Sequence, residues 1–212
     1  MSKSNILEAF AAKGADVGVI ADRLAKNSKQ IQTLIGALQV EKSPKKYAYE
    51  KALRLASERQ PELIYPYFDF FCSLLDNDNN FLKWGAIMTV ANLTAVDTQN
   101  KFEAIFKKYF APINGPTMVT AANIIGSSVA VARAKPALTD AITREILKVE
   151  KARFELRAVR RPNAAMSPLG MRSIRWTSYT AKSEIKLKLL LLSDARSRTR
   201  ENKSPEKPNN SC

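Results

Sequence analysis

The sequence predicts an all-α fold in which helical hairpins stack into a right-handed α-solenoid, and three observations support this prediction. Apolar residues recur at the spacing of helices rather than of strands. Cap residues and prolines divide these stretches into pairs of helices. The pairs repeat at a nearly fixed distance, since Ala52, Ala86 and Ala122 lie 34 and 36 residues apart in three corresponding first helices.

The hairpin between Asp76 and Ile113 shows the pattern most clearly. Asp78 or Asn79 can cap its first helix, and Asp97 can cap its second by accepting from the amide of Asn100. One apolar stripe runs along each helix. The stripes are Leu82, Ala86, Val90 and Leu93 in the first helix, and Phe102, Ile105, Phe106 and Tyr109 in the second.

Similar hairpins lie on both sides of this one. Upstream, Pro44 begins a helix and a second follows Pro61, where Pro66 kinks the helix or serves as its true first residue. Downstream, Met118 begins a helix and Pro136 introduces the last. The predicted stripes of these four helices are Ala48, Ala52, Leu55 and Ala56; Ile64, Phe68, Phe71 and Leu75; Met118, Ala122, Ile125 and Val129; and Leu138, Ile142, Ile146 and Val149.

The repeated hairpins of residues 43–150 resemble HEAT/armadillo-type repeats, and the segments LLDNDNNFLKWGAI and MVTAANIIG look like those of small bacterial HEAT-repeat proteins. The resemblance implies an armadillo-type superhelix whose second helices line a concave surface. We expect capping helices at 1–42, three HEAT-like hairpins at 43–153 and a disordered or irregular basic tail at 154–212. A single non-repetitive helical bundle is the alternative that the same stripes allow.

Composition argues against catalysis. Histidine is absent, and the two cysteines, Cys72 and Cys212, are far apart in the chain, so neither a histidine-assisted nucleophile nor a zinc cluster can be assembled. We therefore expect no enzyme activity, no metal and no cofactor. The sequence has no run of about 18 apolar residues and no secretory signal, which predicts a cytoplasmic protein that is not inserted in a membrane.

The net charge of +14 comes mainly from the end of the chain. Residues 1–150 hold 19 Lys and Arg against 15 Asp and Glu, whereas residues 151–212 hold 15 against 5. A positive excess often indicates nucleic-acid binding, but here the repeats themselves are nearly balanced. The charge therefore does not favour nucleic acid as the partner of the repeats.

The helical period ends after Phe154, and a frameshift near residues 155–161 explains the change. If each codon is read from the last base of one residue's codon and the first two bases of the next, residues 162–176 can encode an amphipathic helical sequence. On this hypothesis the tail replaces one or two terminal repeats with an accidental sequence, and its charge has no function. A relative that encodes the same tail in frame would contradict the hypothesis.

The predicted function is a non-catalytic HEAT-repeat scaffold that binds a protein partner through its concave surface. Charged residues of the second helices are the expected partner contacts. They are Glu62, Asp69, Glu103, Lys107, Arg144 and Lys148.

Two other functions are compatible with parts of the sequence. Residues 19–38 resemble a helix-turn-helix, which would offer Lys29, Gln30 and Gln32 to a DNA major groove; the same segment also suits a polar cap on the end of a solenoid. A HEAT-like DNA glycosylase would need an exposed Trp84 beside a carboxylate, and the sequence supplies no carboxylate in register.

Overall fold

The computed structural model describes residues 6–12, 14–155 and 173–175, and this part of the chain is mostly helical. The all-α prediction is confirmed for it. The helices are α1 (Ile6–Ala11), α2 (Val17–Leu24), α3 (Ser28–Val40), α4 (Lys45–Arg59), α5 (Pro61–Ile64), α6 (Phe68–Leu74), α7 (Asn80–Leu93), α8 (Lys101–Phe110), α9 (Met118–Ala134) and α10 (Thr139–Leu147).

A short antiparallel pair of strands follows the helices. Strand β1 (Arg153–Glu155) pairs with β2 (Ser173–Arg175), so that Phe154 lies opposite Ile174. Apart from these strand residues, the predicted tail of residues 154–212 lies outside the described part of the chain. The same is true of the segment to which the frameshift hypothesis applies.

The predicted cap at Asn79 and the predicted break at Pro66 are confirmed, whereas one predicted capping bond is wrong. Asn79 caps α7 by accepting from the amides of Phe81 and Leu82, and Pro66 lies in a 3-10 turn that separates α5 from α6. The predicted bond from the Asn100 amide to Asp97 is wrong. Asn100 adopts a left-handed conformation (φ 55°), and the Asp97 carboxylate instead accepts from the next two amides, which begin α8.

The helices alternate between two sides of the molecule. The first helices, α2, α4, α7 and α9, pack side by side in that order. The second helices, α3, α5 with α6, α8 and α10, follow them in sequence, and α3, α6 and α10 pack against this row. Each hairpin therefore contacts mainly the hairpins before and after it.

Aromatic side chains fill much of the core, as their helical spacing predicts. Phe68, Phe71, Phe102 and Phe110 are fully buried, whereas Phe106 is half-buried. Tyr109 joins them, and its hydroxyl donates to the carbonyl of Ile87 at 3.1 Å within the same hairpin. Aromatic spacing in this chain therefore reflects packing.

The predicted core stripe of α9 is wrong. Met118 and Ala122 are exposed, although Ile125 is buried. The helix is apolar around most of its circumference, so its pattern does not fix which face turns inward. Its buried side carries Ser128, whose hydroxyl donates to the Ile124 carbonyl at 2.7 Å and so loses no hydrogen bond.

Most of the hydrogen bonds between neighbouring hairpins join residues 32 to 38 positions apart, and the bond from Arg59 to the Gly18 carbonyl spans 41 positions. The separation of 32 to 38 positions is close to the period of 34 to 36 residues in the sequence. The pairs with separations of 32 to 38 are Tyr47 with Asn79, Ser57 with Asn92, Tyr65 with Asp97, Asp69 with Lys101, Trp84 with Thr120, and Lys135 with Asp97, Asn100 and Glu103. Corresponding positions of successive hairpins are therefore in contact.

Candidate interaction surface

Three aromatic residues form a row across the first helices. The ring centroid of Phe81 lies 5.3 Å from that of Tyr47 on α4 and 5.3 Å from that of Trp84 on its own helix α7. The Asn79 amide donates to the Tyr47 hydroxyl at 2.9 Å and ties the starts of α4 and α7 together. Phe81 is 62% exposed, so this aromatic row lies on the surface.

The start of α9 extends the aromatic row. The indole nitrogen of Trp84 donates to the Thr120 hydroxyl at 2.9 Å, which holds α9 beside α7. The two residues before Thr120 are apolar and exposed, Met118 by 41% and Val119 by 44%. Together with the aromatic row they form an exposed apolar patch across three helices, of the composition that is enriched in protein interfaces.

We expect the Trp84–Thr120 hydrogen bond to stabilise the fold. Thr120→Val removes the acceptor and should lower the free energy of unfolding by about 1 kcal/mol, as measured by urea denaturation. Thr89 is the matched control, because its hydroxyl is buried without a hydrogen-bond partner. The same change there, Thr89→Val, should leave stability unchanged or increase it, and a loss equal to that of Thr120→Val would contradict this assignment.

A groove of about 300 Å³ lies on the same side of the molecule as the patch. Its floor on α9 carries three small residues at four-residue spacing, Ala122, Gly126 and Ala130. Residues of α4 and α7, together with two more of α9, complete the lining: Glu58, Met88, Ala91, Asn92, Asn123 and Ser127. Small side chains on the floor allow another backbone to approach α9 closely.

The polar side chains of the groove are largely engaged within the protein. Glu58 forms an ion pair with Arg54 at 2.9 Å. The Asn92 amide donates to Ser57, and the Asn123 amide donates to the carbonyl of Val119, both at 2.9 Å. These pairings suit a contact surface better than a site where a group must accept or release a proton.

Three lysines lie on the first two turns of α4, near the patch. Lys45 and Lys51 are exposed, and the Lys46 ammonium lies 5.4 Å from the centre of the Tyr47 ring. Among the described residues, none of the three lysines forms an ion pair with a carboxylate. Glu41 interacts electrostatically with Lys45, so the positive charge at this edge is compensated only in part.

All the residues predicted to bind a partner lie exposed on the second helices or directly after them, but half of them are paired within the protein. Asp69 binds Lys101 at 2.8 Å, Glu103 binds Lys135 at 2.8 Å and Lys148 binds Glu145 at 2.6 Å. Each pairs with a residue outside the predicted set. Glu62 on α5, Lys107 on α8 and Arg144 on α10 are the other three.

The helix-turn-helix-like segment corresponds to part of α2, a short turn and α3. Asn27 caps α3 by accepting from the Gln30 amide at 3.3 Å, which places Lys29 and Gln30 in its first turn. Lys29 and Gln32 are exposed, whereas Gln30 is half-buried. Ala21, Leu24, Ile31 and Leu34, whose spacing suits the inward side of either arrangement, are all buried.

The DNA-binding alternative leads to a defined expectation. Because the excess positive charge lies largely beyond residue 150, replacing Lys29, Gln30 and Gln32 together by alanine should change the affinity for duplex DNA less than twofold. Fluorescence anisotropy at several salt concentrations measures this. A loss of affinity of tenfold or more would support the helix-turn-helix interpretation.

Three observations on the described residues concern possible chemistry. No cluster of ligands for a metal ion is found among them. Burial raises the pKa of the Cys72 thiol to about 12, which keeps it protonated and unreactive at neutral pH. Trp84 is half-buried and its indole nitrogen is bound to Thr120, an arrangement that favours packing over the recognition of a base.

Comparison with protein-family models, with curated proteins and with solved structures gave no match. The class of this protein is therefore defined by its own architecture, an all-α arrangement of successive helical hairpins. Within the described part of the chain, no helix is both long enough and apolar enough to cross a lipid bilayer.

Proposed function

We propose that this chain is a non-catalytic helical-repeat scaffold of the HEAT type that binds a protein partner. The repeat assignment is supported by the hydrogen bonds between hairpins, most of whose separations lie close to the sequence period. Each hairpin packs mainly on its neighbours, the property that gives repeat proteins extended binding surfaces. A cytoplasmic location belongs to the same proposal.

The exposed aromatic row carries the proposal of a protein partner. Tryptophan, tyrosine and methionine contribute disproportionately to protein interfaces, where a few buried aromatic side chains supply most of the affinity. Phe81 is held in place by rings on both sides, so little conformational entropy is lost when a partner covers it. The binding surface is then on the first helices, and a contribution from the charged second helices remains a prediction.

Site-specific photo-crosslinking tests this function. A photoreactive phenylalanine analogue at Phe81 should crosslink to a discrete protein in cells that express the chain, and mass spectrometry identifies that protein. The same analogue at Val40, which is 76% exposed at the end of α3, is the control. Equal crosslinking from both positions, or none from Phe81, would contradict the proposal.

A further inference from the structure

We infer that the partner segment is an amphipathic α-helix with an apolar stripe and acidic residues at one end, lying along the groove and the aromatic row. This inference rests on the proposed function and specifies its ligand. Three properties of the surface lead to it: the backbone it presents, the shape of its floor and the charge at its edge.

The surface is built from helices, and this decides how a peptide can bind. The backbone amides and carbonyls of helix interiors are bonded within their own helix, so they cannot pair with an extended peptide as the edge of a sheet does. Binding must use side chains. A helix laid in a groove presents side chains at i, i+3 or i+4, and i+7, which suits this requirement.

The shape of the floor fits a helix of about three turns. From Val119 to Ala130, α9 extends for about 16 Å. Ala122, Gly126 and Ala130 face this groove at four-residue spacing, so the axis of a second helix can approach closely, at the short end of the range of about 8 to 10 Å seen for packed helices. Next to the groove, the exposed Phe81 offers an apolar contact to the part of the partner helix that lies over the aromatic row.

The positive charge on α4, at the edge of the aromatic row, favours acidic residues in the partner segment. The Lys46 ammonium lies 5.4 Å from the centre of the Tyr47 ring, and Lys51 lies one helical turn after Tyr47 on α4. Neither forms an ion pair within the described residues. Helix α4 also begins here, so its amide dipoles favour negative charge nearby. At the groove, in contrast, Glu58 is neutralised by Arg54. Acidic residues of the partner therefore belong at the end that lies over the start of α4.

Three synthetic peptides test this inference against the full-length protein. One is a helical peptide with an apolar stripe and glutamates at one end, the second has lysines in place of the glutamates, and the third is a scrambled acidic peptide of the same composition. The scrambled peptide measures general attraction to the basic chain. Anisotropy should show that the first peptide binds at least tenfold more tightly than either of the others.

Variants locate the binding. Phe81→Ala and Gly126→Leu should each weaken the first peptide at least tenfold, because one removes an anchor and the other fills the groove. Both positions are exposed, so circular dichroism should show unchanged folding. Lys51→Glu should weaken binding severalfold and reduce its salt dependence. Val40→Ala, at an exposed apolar position outside the patch, should have no effect.

The outcomes separate this inference from the proposed function. Equal binding of the acidic, basic and scrambled peptides, or binding unaffected by Gly126→Leu, would overturn the inference. If crosslinking from Phe81 still captures a partner in that case, the scaffold function stands and only its ligand class is wrong. If crosslinking also fails, both proposals fail.

Discussion

Asp97→Ala is expected to lower the free energy of unfolding by about 3 to 5 kcal/mol, the usual cost of removing one partner of a buried ion pair. The Asp97 carboxylate is buried in the turn between α7 and α8. It accepts from the Tyr65 hydroxyl at 2.6 Å and pairs with the Lys135 ammonium at 3.0 Å. It thereby connects the three hairpins at one point.

The remaining bonds of Asp97 explain why the expected cost is large. Its two oxygens also accept from the backbone amides of Lys101 and Phe102, both at 2.9 Å. Burial alone would raise the pKa of Asp97, but the bonds from Tyr65, Phe102 and Lys135 outweigh it and hold the pKa below its ordinary value of 3.8. This stabilisation is present above pH 3.8 and is lost as the pH falls through the lowered pKa.

Urea denaturation at neutral pH measures the loss in Asp97→Ala. Asp69→Ala provides the control, because Asp69 also pairs with a lysine of the next hairpin but is strongly exposed. An exposed pair contributes about 0 to 1 kcal/mol. If the two variants lose similar free energies of unfolding, the buried Asp97 carboxylate contributes no more to stability than an exposed ion pair does.

Glu50→Gln is expected to raise the free energy of unfolding at pH 8 by about 2 to 3 kcal/mol. Glu50 lies on α4, is only 8% exposed and has one carboxylate oxygen without a hydrogen-bond partner. It packs against Gly85 of α7, where a Cβ atom would overlap its carboxyl group. Removing a poorly compensated buried charge, while keeping the shape of the side chain, should therefore stabilise the contact between α4 and α7.

The dependence on pH follows from the pKa of Glu50. Burial raises it from 4.5 to about 7, although Arg54 acts in the opposite direction. Between these two values the folded protein binds more protons than the unfolded chain, so Glu50 makes stability fall as the pH rises. The cost is fully present above pH 7 and amounts to about 3 kcal/mol for a shift of this size. Glu50→Gln should remove this component.

Unfolding midpoints in urea between pH 5 and pH 8 test this expectation. Glu58→Gln is the control, since Glu58 is exposed and is paired with the same Arg54; its stability should change by less than about 1 kcal/mol. If Glu50→Gln is no more stable than the original protein at pH 8, the Glu50 carboxylate does not destabilise the fold through a buried charge.

Much of the fold could be predicted because stripes and caps act locally. The stripe of Leu82, Ala86 and Val90 is buried as expected. Because α4, α6 and α9 pack around α7, Ile87 and Ala91 outside the stripe are buried as well. The prediction for α9 is wrong because alanine, valine and glycine lie on all sides of this helix. Only the packing of neighbouring helices decides which of its sides faces the core. The sequence therefore predicts Met118 in the core, but it is exposed.

The candidate surface was harder to predict than the fold. Phe81 and Trp84 lie beside the predicted core stripe of α7 and not within it. Two aromatic residues outside a core stripe are the sequence signal that could have identified the patch. Their contact with Tyr47 on α4 depends on tertiary packing. Likewise, charges such as Asp69 look available in the sequence, but the next hairpin supplies their partners.

Native-state hydrogen exchange distinguishes an array of repeats from a single bundle most directly. In an array each repeat is stabilised by its neighbours, so the ends open more easily than the centre. The amides of α7 should have the largest free energy of opening, with progressively smaller values towards α2 and α10. If all the helices exchange through one opening of the same free energy, the protein is a single cooperative bundle, and the repeat scaffold proposed for it is wrong.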